Sequence, residues 1–388
     1  MPSDRPQEFV DRARQVAPLA REHAQAGEEA GRLAAPVVEA LREAGLFSLL
    51  VPREVGGPEV DVATLVRVIE AVSQGDGAAG WCVMISATTG SAAAALPREG
   101  AEEIFGDPRS IAGGVVMPPA RAERVDGGYR VTGRWAFGSG SPDASWMLGG
   151  AFVQGPDGPE VLTEGVPHLR MMFFPREAIT IHPTWHVSGL RATGSNDFEV
   201  SDVFVPERRA TSRRPADLWA KGPLYQVPMF GLLALGVASV ALGIGRAAID
   251  ELVSFAAAKT PTGSRRPLSE RAAAQSGIAE AEALVRSGRA FMLTVINDVW
   301  ERLCAGGKLT LEDRLALRLS ATTAALNCAR AVDICYNLGG ATSIYEKSPL
   351  QRQFRDIHTL TQHVMVGQPT LEVAGRLMFG IATDTSMF

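Results

Sequence analysis

The strongest constraint on how this chain can fold is a change of texture that happens twice. Up to about residue 110, apolar residues recur at three-to-four spacing, as in "APVVEALREAGL" and "VATLVRVIEAVSQGDG", which stop at Gly45 and Gly75. From 111 to about 220 the period falls to two. "ARAERVDGGYRVTGRWAF" alternates around Asp126-Gly127-Gly128, a hairpin signal, and "SWMLGGAFV", "LRMMFFP" and "FEVSDVFVP" read as further strands. From 221 onward the pattern is helical again, in four long pieces. One of them opens on a cap-like Thr310-x-x-Asp313 and closes at Gly339-Gly340. Helices, strands, then a second helical set is an α+β order that few folds share.

Composition limits the function classes. With 38 Lys+Arg against 43 Asp+Glu the net charge is −5, and no basic block tracks a phosphate backbone, so no nucleic-acid partner is expected. Cys82, Cys304, Cys328 and Cys335 include no CxxC pair, which suits a reducing, cytoplasmic setting and excludes a zinc knuckle. The first residues are polar and amphipathic, unlike a signal peptide. "MFGLLALGVASVALGIG" (229–245) is short for a membrane span and holds four glycines, so it reads as a buried helix and no membrane partner is expected. The GxGxxA match that overlaps its end, "GIGRAA" (243–248), lacks the preceding strand and following acid of a dinucleotide site.

Two stretches carry candidate chemistry. "GRWAFGSGSPDASW" (133–146) places Ser139 and Ser141 among glycines directly after a strand, where a ligand can approach the backbone and take a directed hydrogen bond. "RDIHTLTQHVMVGQPT" (355–370) holds two of the six histidines. His358 and His363 are five apart, about 140° around a helix, so they do not form a helical metal pair and no metal site is expected. Pro369 suits the first turn of a new helix, which puts a bend near 366–368 and His363 near a helix end. Asp356, seven before His363, shares its face if the helix continues that far.

These segments together resemble the acyl-CoA dehydrogenase superfamily over nearly the full length. "LVPREVGGPEVDVATLVRVIEAVSQGDGAAGW", "HVSGLRATGSNDFEVSDVFVPE" and "GGATSIYEKSPLQRQFRDIH" carry the likeness. The resemblance implies an N-terminal helical domain (1–110), a middle β-barrel domain (111–220) and a C-terminal four-helix bundle (221–388), with flavin at their junction. It also shows departures. The dehydrogenases need a Glu to remove an α-proton; its commonest position falls on Val364 and the alternative on Leu233, and 229–249 contains no acid. "MPPARAER" stands where their Gly-Ser-Asp motif is expected.

"WAFGSGSPDASW", "GLRATGS" and "PLQRQFRDIHTLTQH" look instead like the flavin-dependent monooxygenase branch. That branch takes reduced flavin, FAD or FMN, from a separate flavin reductase and forms a C4a-hydroperoxide with O2 to oxidise a small aromatic or heteroatom-bearing substrate. An FAD-dependent acyl-CoA dehydrogenase is the alternative. By resemblance, Ser139 lies near flavin N5, His363 by the oxygen adduct, and Trp81 lines the flavin or substrate pocket, with Ser141 standing in for Ser139 if needed. Asp356 either orients His363 or pairs with Arg355. Lys259 and Thr262 stand where dehydrogenases hold the FAD pyrophosphate, and Arg265 and Arg266 either bind a flavin phosphate from a neighbouring subunit of a homotetramer or are merely solvated.

Overall fold

A computed structural model describes residues 5–155, 158–163, 166–212 and 217–388. Five helices come first: α1 (Arg5–Ala30), α2 (Ala35–Glu43), α3 (Val62–Gly75), α4 (Gly77–Gly90) and α5 (Arg98–Phe105). The side chains of Asp61 and Asp76 cap α3 and α4, accepting from the backbone N–H of Thr64 at 2.8 Å and of Ala79 at 3.0 Å. Gly45, after α2, has φ +70.

The strands follow: β1 (Ala112–Val125), β2 (Gly128–Gly138), β3 (Trp146–Gly155), β4 (Gly158–Pro159), β5 (Val161–Thr163), β6 (Val166–Pro167), β7 (Leu169–Pro175), β8 (Thr180–His182), β9 (Asn196–Pro206) and β10 (Ala210–Thr211). β1 and β2 pair from Val125↔Gly128, so Asp126-Gly127 is a two-residue hairpin turn, and Gly127 supplies the φ of +75 it requires. The main sheet runs β10-β7-β3-β1-β2-β9-β8 with β4 on β3, and the β1–β3 ladder is parallel. Its buried face closes on Trp135, Phe174 and Phe198; Trp135 stacks on Phe198 with ring centroids 4.8 Å apart. Losing the Trp135 side chain would cost about 3–5 kcal/mol.

The last block is α6 (Met229–Ala256), α7 (Ala272–Cys304), α8 (Leu311–Gly339), α9 (Pro349–Leu360) and α10 (Pro369–Met378). α8 begins with a full Thr310/Asp313 capping box, as its sequence predicts. The fourth expected long helix is split. α9 ends at Leu360, turns occupy the residues up to Gln368, and Pro369, which cannot donate a backbone hydrogen bond, opens α10. Among the described residues α6 is the one helix long and apolar enough to cross a membrane, and 89% of its most apolar window is buried inside the protein. It packs against α3, α4, α8 and α9, so the first and third blocks share one core, and the sheet has its own.

Candidate active site

The site forms where α4, the end of β2, the 188–195 loop and the turn after α9 meet. Trp81 projects from α4, 7% exposed, and its indole Nε1 donates to Ser139 Oγ at 3.0 Å. Ser139 follows β2 and is 4% exposed. Its hydroxyl lies 2.7 Å from that of Ser195, which lies 2.6 Å from that of Thr193. Thr193 in turn donates to the Leu190 carbonyl at 2.8 Å, which also accepts from the Trp185 indole at 3.1 Å.

His363 sits in the turn beyond α9 and meets the Trp81 ring edge-on, centroids 5.4 Å apart at 73°. Its Nδ1 accepts the Met365 backbone N–H at 3.3 Å. That leaves the imidazole proton on Nε2, as a donor. Burial, and then the charge of Arg318, push its pKa down to about 4, so it is neutral at pH 7. Arg318 is itself buried without a carboxylate partner among the described residues, held by Thr370 Oγ1, the Met387 carbonyl and the Met365 sulfur. His358 points elsewhere: its Nε2 pairs with Asp333 at 2.8 Å and its ring packs against Phe354. The structure thus brings Trp81, Ser139 and His363 together.

The other expected residues fall outside that cluster. Ser141 is fully buried and donates to the Gly194 carbonyl at 3.3 Å, tying its loop to the 190–195 segment. Arg265 is exposed on the α6–α7 connection and its side chain makes no hydrogen bond or ion pair among the described residues. Lys259, aligned with a pyrophosphate-binding position, donates instead to Thr342 Oγ1 at 2.7 Å and to the Gly339 carbonyl, where it caps α8.

Neither reading of Asp356 holds. Helical neighbours point about 100° apart, so Arg355 turns to Glu28 of α1, with Nη2–Oε2 at 2.9 Å, and to the Ser188 carbonyl at 2.6 Å. Asp356 turns inward and accepts the Leu190 backbone N–H at 2.6 Å. Because α9 stops at Leu360, His363 does not share its face. Burial first, and then the charge of Asp76, push the Asp356 carboxyl up to about 7. Asp76 is raised by burial too.

This seam fixes the loop that carries Thr193 and Ser195. Gly189 passes so close to α9 that a Cβ there would lie 2.2 Å from the Arg355 carbonyl oxygen. Leu190 then takes a left-handed backbone, φ +51, which a non-glycine residue holds only under tertiary constraint.

The sequence reading missed Thr193, Ser195 and Phe137. Two hydroxyls spaced two apart in "ATGS" share one side of an extended chain, which is a weak signal. Phe137 carries none: it is 69% exposed, with φ +64 immediately before Gly138-Ser139, and its ring stands edge-on to Trp185 at 6.1 Å.

These features fit a flat heteroaromatic ring such as flavin. A strained backbone presents an open aromatic face beside a buried hydroxyl that still has an unshared lone pair. A cleft of about 390 Å³ opens alongside, lined by Gly31, Trp185, His186, Arg191 and Asn196. A smaller cavity of about 10 Å³, room for one water, touches Ser139 from the Cys82 and Gly113 side.

Comparison with known proteins identifies the family. Residues 3–104 match the family model described as "Acyl-CoA dehydrogenase, N-terminal domain" and residues 235–368 the corresponding C-terminal domain. The indole-3-acetate monooxygenase of Pseudomonas putida is 35% identical over 89% of this chain and 86% of its own length. The oxygenase subunit HsaA of a flavin-dependent monooxygenase from Rhodococcus jostii is 29% identical, covering 89% of this chain and 91% of that protein. Among solved structures, XiaF from a Streptomyces species in complex with FADH2 and glycerol superposes with a TM-score of 0.89 at 27% identity, covering 97% of this chain and 96% of XiaF. The chain belongs to the flavin-dependent monooxygenases of the acyl-CoA dehydrogenase superfamily, as the oxygenase component of a two-component system.

Proposed function

We propose that this chain inserts oxygen into a small aromatic compound, with Ser139 facing the flavin ring and His363 facing the reacting oxygen and substrate. The observation that carries this reading is a pair of neighbours. The dehydrogenase base position holds Val364, which is 60% exposed and has no proton-accepting group, whereas His363 beside it packs against Trp81. Reduced flavin, delivered by a separate reductase, supplies the electrons that activate O2 when bound. The chain's own residues then have three tasks. Ser139 accepts a hydrogen bond from the ring edge, Trp81 fixes Ser139 and walls off water, and the neutral His363 offers an Nε2 proton at pH 7. Ser141 holds its loop against Gly194, and the exposed Arg265 would be the residue to hold a flavin phosphate of a neighbouring subunit.

We assign the chain to the cytoplasm and to a homotetramer. Met378, Phe379 and Ile381 near the C-terminus, with Ile344 and Tyr345, are large apolar side chains left exposed in the single chain, which supports burial between subunits. Sedimentation as a monomer at micromolar concentration would contradict the assembly.

The activity test supplies reduced FMN or FAD from a generic reductase, ¹⁸O2 and a panel of phenols and indoles, and analyses products by mass. Incorporation of one ¹⁸O atom is the expected result. Anaerobic reduction of the oxidised flavin complex by an acyl-CoA thioester, with no ¹⁸O product from the panel, would overturn the reading in favour of a dehydrogenase.

A further inference from the structure

We infer that Thr193 and Ser195 are positioning residues that fix the hydroxyl of Ser139 as a hydrogen-bond acceptor toward its ligand, so that the site discriminates reduced from oxidised flavin. The inference rests on placing the flavin ring edge at Ser139. The argument is a count of protons. A carbonyl can only accept, so the single hydroxyl proton of Thr193 is committed to Leu190 at 2.8 Å. The 2.6 Å contact between Thr193 and Ser195 must then use the Ser195 proton. The 2.7 Å contact between Ser195 and Ser139 must in turn use the Ser139 proton. The Trp81 indole, a donor only, takes one of the two Ser139 lone pairs. One lone pair remains, and no proton.

All three hydroxyls are at least nine-tenths buried, at 1%, 3% and 4% exposure for Thr193, Ser195 and Ser139, so bulk water does not scramble the order. The chain runs one way, from Trp81 through Ser139, Ser195 and Thr193 to Leu190. The Leu190 peptide is anchored at its other end by Asp356.

A flavin ring changes its hydrogen-bonding character at N5 with redox state: reduced, N5 carries a proton and donates; oxidised, it has only a lone pair and accepts. An acceptor-only Ser139 pairs with the first and faces the second lone pair to lone pair. The relay therefore favours binding of the reduced cofactor and release of the oxidised one, without any charged group at the ring.

The test measures dissociation constants for FMN and FAD, photochemically reduced under argon and oxidised in air, by equilibrium ultrafiltration. Turnover is not involved. The wild-type protein is expected to bind reduced flavin more tightly. In Ser195→Ala the Ser139 proton loses its acceptor and turns toward the ligand. In Thr193→Val the Ser195 proton loses its acceptor instead and can turn back onto Ser139, which frees the Ser139 proton in the same way, so affinity for oxidised flavin rises in both. The oxidised-to-reduced ratio of dissociation constants then falls by about three- to tenfold, the range of one net hydrogen bond. Thr193→Ser keeps the hydroxyl and keeps the wild-type ratio. Thr193→Val preserves shape, so it carries the test even if Ser195→Ala does not fold.

If Ser139→Ala weakens reduced-flavin binding while Ser195→Ala and Thr193→Val leave the ratio unchanged, the relay is overturned and the placement of the ring stands. If Ser139→Ala alters neither affinity, the placement fails and the relay with it.

Discussion

Two buried polar regions lie side by side in this molecule and are built on opposite plans. The seam between α1, α4, the 188–190 turn and α9 is built of ionisable groups: Glu28 pairs with Arg355, and the carboxyls of Asp76 and Asp356 are buried at 5% and 4% exposure. The site next to it is neutral: an indole, a run of hydroxyls and an uncharged imidazole. Buried charge is costly unless held by several partners, so it belongs where distant pieces of chain must be fixed. Groups that face a ligand gain from carrying a proton whose direction is set rather than a charge. The seam holds Leu190 from one side and the relay ends on Leu190 from the other, so the first region positions the second.

The largest stability effect should come from closing the gap that lets the two regions meet. In Gly189→Ala the new Cβ has no room against the Arg355 carbonyl oxygen, 2.2 Å away, and the backbone must move. A loss of about 3 kcal/mol or more is expected in urea unfolding, together with loss of flavin binding. Asp356→Ala strands the Leu190 N–H and should cost about 1–3 kcal/mol, whereas Asp356→Asn keeps an acceptor and should cost much less. If Ala and Asn behave alike, the seam does not act through Leu190.

The two regions should also respond to pH with opposite sign. Asp356 is raised from 3.8 to about 7, so between those values the native state keeps a proton that the unfolded chain has lost, and stability falls as pH rises. His363 is lowered from 6.5 to about 4, so in that window the native state lacks a proton that the unfolded chain holds, and stability falls as pH drops. The Tm of Asp356→Asn relative to wild type should therefore rise from pH 4 to 7. NMR titration of the ring assigned by His363→Asn should show a midpoint near 4. A midpoint near 6.5 would remove the buried-donor role of His363.

The difference between the regions also explains what could be read in advance. Element order, the Asp126-Gly127 turn, the Thr310/Asp313 cap and the break before Pro369 are local, and backbone preferences write them into short stretches. Ser139, Trp81 and His363 were reachable through likeness to a family, because each lies in a motif. The seam was not. Glu28 and Arg355 are 327 residues apart, and nothing near Arg355 says that its partner is on α1 rather than the adjacent Asp356. The end of α9 decided the fate of the Asp356–His363 pairing: a helix that stops at Leu360 leaves His363 outside it, and residues seven apart share a face only while both are helical. Thr193 and Ser195 matter through the direction of their protons, which only the assembled contacts define.

The most direct test of the central claim, that Trp81, Ser139 and His363 form the oxygen-handling site, needs no knowledge of the substrate. Reduced FMN or FAD is mixed with oxygenated buffer in a stopped-flow instrument, with and without protein, and hydrogen peroxide release is followed. Wild type should delay peroxide relative to free flavin. His363→Ala and Ser139→Ala should shorten that delay by at least about tenfold, the lower range of one positioned acid–base or hydrogen-bonding group. His358→Ala, whose partner Asp333 is a surface group, should match wild type. Equal delays for His363→Ala and His358→Ala, or a wild-type delay no longer than that of free flavin, would contradict the account.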